Sequence, residues 1–459
     1  MKEQAILTRT KMHGMRFGLV FSLAIALGAC AQQPVETPPA EQAVIALEPG
    51  HNDWWQQFES PQLLTLLAEA TDSNRDLGIA RERLAQANAQ LRVNVADKYP
   101  GIGAGIRSSR NSVSTDGSSV DTNMNTLGID ASYSVDLWGA RAAREKVEAF
   151  RLAQQRENLR EVSLQLQADL AERYFETLAL RDQIALAETA LSASRELHEL
   201  LVLKEEIGVA TEVEVAQQWN LVLAQSASLE RLQRDFTARK RAVALLAGRS
   251  ELDSLETAQG FSAIEFPSVS PEQSLAMLEG RPDVRLAAHA VEIGEANLDH
   301  AKALRWPQLN LSADITLDDL SGGDLVSNLL AGLTAPVFQG GRIQGQIDVA
   351  KAETRIRGIQ YEQIFTFATE EVLNALTAQG SLQRSLEISR KSLATSDSLF
   401  QNAKVQYDLG AADFLVLLDA QRSLVDARMQ ESEARLKYAR ALLNLFRVLA
   451  AAPEFPQVD

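Results

Sequence analysis

One residue stands out for its chemistry. Cys30 is the only cysteine in the chain, so no internal disulfide can form, and it directly follows Leu27-Gly28-Ala29. Residues 1–16 are basic and 17–29 are apolar. An apolar run that short cannot span a bilayer and reads as a signal peptide over 1–29. The other reactive side chains form no constellation. His13, His51, His198, His289 and His300 show no ligand spacing with the cysteine or with one another, and His13 lies in the leader. There is no Gly-x-Ser-x-Gly elbow, P-loop or dinucleotide fingerprint. The acid pairs Glu205-Glu206 and Asp318-Asp319 read as solvated surface. The methionines are unpaired, and Met1, Met12 and Met15 fall in the leader, which disfavours a dedicated copper or silver path lined by thioethers. The reading is therefore a protein that is not an enzyme, with no catalytic, cofactor-binding or metal site.

Leu27-Gly28-Ala29-Cys30 resembles the lipobox of bacterial lipoproteins, which implies an acylated thiol at the mature N-terminus; the alternative is a signal peptide that ends beside a cysteine by chance. Ala31 follows instead of the Asp that retains such proteins at the inner membrane, so the resemblance implies the bacterial outer membrane, with lipid anchoring through Cys30. Residues 30–60, with Pro34, Pro38, Pro39 and Pro49, read as a lipidated tether. The net charge is −16, and −19 once the basic leader is set aside, which argues against nucleic acid as a partner.

The elements around these residues are long. No proline falls between Pro100 and Pro267 or between Pro336 and Pro453, which leaves room for helical hairpins over 143–248 and 342–452. In the second, Tyr361, Phe365, Ala368, Val372, Ala375, Gln379, Leu382, Leu386, Ser389, Leu393, Ser396, Phe400 and Ala403 step by four and three, a coiled-coil seam. After Gly410 the rhythm resumes from Leu417 to Val448, with a second seam beside it through Leu415, Leu418, Arg422, Val425, Met429, Ser432, Leu436, Ala439, Leu443 and Phe446. Two seams let one helix pack on both sides and line up into a wall; a soluble coiled-coil rod is the alternative.

Between the helices, apolar and polar residues alternate at Ile102, Ala104 and Ile106, and from Leu127 to Leu137. Residues 107–124 between them are rich in Ser, Asn, Asp and Gly and read as a solvated loop. A helix from Pro61 to about Lys98 precedes the strands. The plan then repeats at an offset of just over two hundred residues: Asn74-Arg75-Asp76-Leu77 matches Arg281-Pro282-Asp283-Val284, Tyr99-Pro100 matches Trp306-Pro307, and Gly208 matches Gly410. The first repeat is 61–270, with strands about 101–137, the hairpin 143–248 and an irregular belt segment 249–270. The second is 271–459, with strands about 308–337, the hairpin 342–452 and a tail.

Strands of this length and alternation suit a lipid-facing barrel wall. Four of them cannot close one, and an open edge in lipid leaves unpaired backbone groups. Three copies supply twelve strands over a helical tunnel; a small soluble sheet is the alternative reading.

At this point the sequence resembles the TolC-type outer-membrane efflux family, in particular its NodT-like lipoprotein branch. The matching pieces are the lipobox, Trp54 with Phe58 and Pro61, Arg281-Pro282-Asp283-Val284, Val337-Phe338-Gln339-Gly340-Gly341-Arg342, and Leu417-Leu418-Asp419-Ala420-Gln421-Arg422. The resemblance implies a mainly α fold with a membrane β-barrel part: a homotrimer whose 12-stranded β-barrel continues into a periplasmic α-helical tunnel. It implies a passive channel of a tripartite efflux pump, with a periplasmic adaptor and an inner-membrane resistance-nodulation-division transporter as partners, and outer-membrane lipid around the barrel. Hairpin-tip turns fall at Gly208 and Gly410. In the family, carboxylates ring the narrowest point; Asp419 matches one such position and Val416 stands at another, so a double acidic ring is in doubt. Asp408 and Asp413 beside the turn supply charge in its place, although Asp413 also suits an N-cap. Symmetry-related carboxylates at a constriction repel anions and attract cations. Two other functions stay open: a conduit of a type I protein secretion system, and a periplasmic lipoprotein scaffold without a pore.

Overall fold

A computed structural model describes residues 55, 58–115, 118–249, 260–266, 278–317 and 323–449, with backbone alone for 111, 113–115 and 118–123. Cys30, Trp54, the leader, most of the tether, the belt segment apart from 249 and 260–266, and the tail from 450 on lie outside the described residues.

Pro61 opens α1 (Pro61–Ser73), where its missing N–H is not needed. The single helix expected over 61–98 is in fact two. Asn74 leaves the helical region, and its side-chain oxygen accepts from the backbone N–H groups of Asp76 (2.9 Å) and Leu77 (3.2 Å), capping α2 (Arg75–Ala96). Its amide also donates to the Leu246 carbonyl at 3.1 Å, so the break is held from outside the helix.

The strands β1 (Gly101–Thr115) and β2 (Ser118–Val135) run through the segment read as a solvated loop. Thr115 pairs with Ser118, leaving only Asp116-Gly117 between them in sequence. Asp-Gly is a strong hairpin signal. The composition suggested a loop, but backbone ladders do not require apolar side chains. After β2 come α3 (Ala140–Glu206) and α4 (Glu212–Leu246), then α5 (Pro282–Ala303), β3 (Gln308–Leu317), β4 (Leu325–Thr334), α6 (Arg342–Asp408) and α7 (Phe414–Leu449). α3 and α6 are each 67 residues, ~100 Å at ~1.5 Å per residue.

The four strands form one antiparallel sheet in the order β1-β2-β3-β4. Its register sorts the residues by face. Ile129, Ile315 and Ser327 align in one row, and Ala131, Ala313 and Leu329 in the next. The other face carries Asp130, Asp314 and Asn328 in line, then Ser134, Asn310 and Gly332. The apolar face has no cover: Leu329 is 85% exposed and Ile106 73%.

The helices pack through the seams. In α6 every seam residue from Tyr361 to Ala403 is buried or half-buried. α7 lies between α6 and α3, while α3 also touches α2, α4 and α5. The second α7 seam holds from Ser432 to Phe446 but shifts toward the tip, where Phe414, Leu418 and Gln421 are buried while Leu415 and Arg422 face out. The main core is aromatic. Phe58, just before α1, meets Phe175 at 5.1 Å and Phe446 at 6.1 Å, Phe266 meets Tyr438 at 5.4 Å, and Leu63 and Leu66 of α1 join the same cluster, so α1, α3, α7 and the 260–266 segment converge there. Arg435 fastens that segment by donating to the carbonyls of Phe261, Ser262 and Ile264.

Candidate functional site

Both hairpin tips are built by one device. Gly208 and Gly410 sit at φ 74° and 71°, where a side chain on an L-residue clashes. After each glycine the chain bonds back five residues: Val209 N–H to Lys204 O and Ala411 N–H to Gln406 O, both 2.8 Å. This is the Schellman closure. Thr211 and Glu214 then make a capping box at the start of α4.

The two tips pack on each other. Leu201, Leu221, Phe414 and Leu418 form a small buried cluster, with Tyr407 against it. Lys204 Nζ lies 4.3 Å from the Tyr407 ring centroid, a cation–π contact joining the hairpins. Asp408 is the last residue of α6, Asp413 immediately precedes α7 and Asp419 lies on α7. All three are exposed and make no ion pair among the described residues. The Asp413 carbonyl accepts from Val416 N–H at 3.1 Å. Asp408 and Asp413 thus flank the turn, with Asp419 further along the helix.

Sequence did not show the partners of several site-building residues, although Gln421, Ser432, Arg281 and Asp283 lie in motifs or seams quoted above. Buried amides tie α3 to its neighbours near the tip: Gln218 donates to Ser194 O (2.9 Å), Gln421 to Ser194 Oγ (3.0 Å) and Gln183 to Ser432 Oγ (3.0 Å). Further along α3, Glu176 is buried and accepts from Arg173, Arg239 and Arg440, clamping α3, α4 and α7 together. Arg281 is 8% exposed and pairs with Asp283 (2.8 Å) and Glu371 (2.6 Å), while Arg447 holds the other Glu371 oxygen at 2.9 Å. Burial works against the Asp283 charge, but the bonds and charge of Arg281 outweigh it and hold that carboxyl below its usual range. Nothing in composition or spacing separates these charges from solvated ones; only their partners do.

Where sheet meets helix, Trp138 stacks on Trp306 with centroids 5.2 Å apart, and its indole donates to Pro307 O at 2.7 Å. The Asp136 carboxylate accepts from the first backbone N–H groups of α3, those of Arg141 and Ala142. On the polar sheet face Asp130 stands directly opposite Asp314, which takes a 2.9 Å hydrogen bond from Asn328. The chemistry offered is that of a polar, acidic surface. Among the described residues no group of three or more His, Cys, Asp or Glu is placed to hold a metal ion.

Comparisons with known proteins agree with this geometry. The family model described as "Outer membrane efflux protein" matches residues 66–249 and 275–451, one match per repeat. The pyoverdine export outer membrane protein OpmQ of Pseudomonas aeruginosa is 28% identical over 459 aligned residues, covering 94% of this chain and 95% of the relative. The cation efflux system protein CusC of Escherichia coli is 28% identical, covering 94% of this chain and 98% of its own. A crystal structure of CusC superposes with a TM-score of 0.81 at 25% identity, over 86% of this chain and 94% of that one. The chain belongs to the outer membrane efflux protein family, and it is an outer-membrane channel component of an efflux pump.

Proposed function

We propose that three copies close a twelve-stranded barrel in the outer membrane and continue it as a helical tunnel across the periplasm. The observation that carries this reading is the sheet. β1 and β4 each leave one edge unpaired, and the apolar face is bare. Such a sheet is untenable in lipid unless sister copies pair its edges, because each unpaired backbone group there costs several kcal/mol. The long hairpins support the tunnel, since each ~100 Å helix presents packing surface on more than one side.

In this reading 61–270 and 271–459 are two repeats of one plan, and Cys30 carries the lipid. The tips at Gly208 and Gly410 meet a periplasmic adaptor, which couples the channel to an inner-membrane resistance-nodulation-division transporter. Asp419, with Asp408 and Asp413, narrows and charges the tip. The channel does no chemistry on its cargo; the transporter supplies energy and selects small molecules for export. The relatives' names, pyoverdine export and cation efflux, span unlike cargoes and support a wide, polar, unselective conduit.

The experiment is native mass spectrometry of the detergent-extracted protein, together with co-purification with adaptor and transporter from the native membrane. A trimer that carries lipid on its N-terminal peptide and brings down both partners is expected. A stable single chain refutes the reading.

A further inference from the structure

The helical end of the sheet is basic in a chain that is otherwise strongly acidic. Within ten residues of the strand ends Gly101, Val135, Gln308 and Thr334, on the helix side, stand seven Lys or Arg against four Asp or Glu, in a chain of net charge -16. The pairs Lys98–Glu145 and Lys302–Asp299 neutralise two of each sign. The Asp136 carboxylate is taken up by the first backbone N–H groups of α3. Arg92, Arg141, Arg144, Arg305 and Arg342 remain without an ion pair among the described residues, and Asp97 is the one acid left to face them.

Two of these arginines lie beside rings at the margin of the apolar face. Arg141 Cζ is 6.0 Å from the centroid of Tyr133, which stands opposite Leu311 in the apolar rows, so this guanidinium is on the bare side of the sheet. Arg305 Cζ is 5.0 Å from the centroid of Trp306, the ring that stacks on Trp138. At the same end Tyr99 is 70% exposed and Phe338 89%. Exposed rings and unpaired cations at one level fit the depth at which acyl chains end and phosphates begin. The planar fork of arginine matches phosphate oxygens in pairs. A zwitterionic headgroup also brings an ammonium, which meets a surplus of arginines there; an anionic headgroup brings no such charge.

We propose that this collar is a binding site for anionic phospholipid of the inner leaflet, with phosphodiesters on Arg141 and Arg305 and acyl chains along the apolar sheet face. This rests on the barrel reading above and adds the class of lipid and the side chains that select it. Each basic side chain that meets an anionic lipid surface contributes about five-fold in affinity. The preference therefore comes from the headgroup charge, while the apolar face holds the chains of either class of lipid alike.

The test uses the full-length protein in detergent, titrated with dioleoyl phosphatidylglycerol or dioleoyl phosphatidylethanolamine and followed by native mass spectrometry. The wild type is expected to bind the anionic lipid at least about five-fold more tightly. Arg305→Gln removes only the contact with the neighbouring Trp306 ring, and is expected to weaken the anionic lipid about five-fold while leaving the zwitterionic one within about two-fold. Arg195→Gln with Lys404→Gln removes two exposed charges toward the tips and is expected to change neither. Equal affinity for the two lipids, or the same loss in both variants, overturns the proposal. Glycerol phosphate carries the phosphate without the chains; if it competes at equal concentration, the arginines serve a soluble phosphate and the proposal also falls. In vesicles with bromine on the acyl chains, the quenching lost in Trp138→Phe with Trp306→Phe reports whether the collar meets lipid at all. Quenching without headgroup preference overturns the proposal alone, and no quenching overturns the barrel reading with it.

Discussion

Removing Arg281 tests whether the second repeat is held by the ion cluster at its start. The guanidinium makes two bonds to Asp283 (3.0 and 2.8 Å), one to Glu371 (2.6 Å) and a longer one to Val448 O (3.3 Å). Charge-assisted bonds contribute about 1.5–3 kcal/mol each, and breaking a buried pair costs about 3–5 kcal/mol. Two features reduce that figure. Glu371 keeps Arg447, and the Glu371 and Asp283 side chains are each 38% exposed, so water reaches both after the loss. Arg281→Ala is therefore expected to destabilise the junction of α5, α6 and α7 by about 2–4 kcal/mol, within the range for one buried ionic contact. Arg281→Lys falls between, because an ammonium keeps the charge but not the fork. Hydrogen exchange read by mass spectrometry on peptides covering 278–285 and 445–449 measures this locally, and the tip peptides around Gly410 serve as the unaffected reference. Unchanged exchange at 278–285 in Arg281→Ala, or Lys behaving as Ala does, refutes the assignment of Arg281 as a clamp.

Asp283→Asn probes the same cluster by pH. The folded carboxyl lies below its unfolded value, so the stability it contributes is present above the unfolded value and lost as pH falls through the folded one. The variant is expected to trail the wild type at neutral pH and to converge with it in acid; a gap constant with pH contradicts this. Gly410→Val forces a β-branched residue to φ 71°, with open space around it, so only backbone strain is added, about 1–2 kcal/mol. That predicts roughly 5–30-fold faster exchange at 404–416 and weaker adaptor cross-linking, whereas unchanged values argue against the tip assignment. Cys30→Ser is expected to abolish the acyl mass while leaving the assembly intact, because strand pairing holds the copies together; a monomer counts against that. Asp419→Ala is expected to lower preference for cations over anions in ion-permeability measurements, and an unaltered ratio removes Asp419 from the constriction.

Much of the architecture was legible because it depends on periodicity. The α6 seam is set by apolar residues every three or four positions, and long helices with few prolines leave little else for the chain to do. The β alternation was legible where it involved Leu, Ile and Ala. It was missed over 107–124, where both faces are polar and only the backbone ladder makes the strand; Asp116-Gly117 was the overlooked signal. The break at Asn74 was missed although Asn is a favoured N-cap and its cap bonds are local; only the bond from its amide to the Leu246 carbonyl, 172 residues away, lay beyond the sequence. The charged clamps were the least legible. Arg281 and Asp283 were noticed as part of a recurring motif, but Glu371 and Arg447 were not, and Glu176 looks in sequence like any acid on a solvated helix. The tip glycines were readable because a backbone requirement singles out one residue type. The carboxylates around them were readable only as charge, since facing a pore depends on copies that one chain does not contain.

Single-channel recording of the purified, assembled protein in a planar bilayer tests the central claim most directly. The account predicts discrete conductance steps that favour cations, that lose that preference in Asp419→Ala, and that grow or lengthen in Gly410→Val, where the turn is strained. Trimers that insert and yet pass no current, in the wild type and in both variants, contradict it.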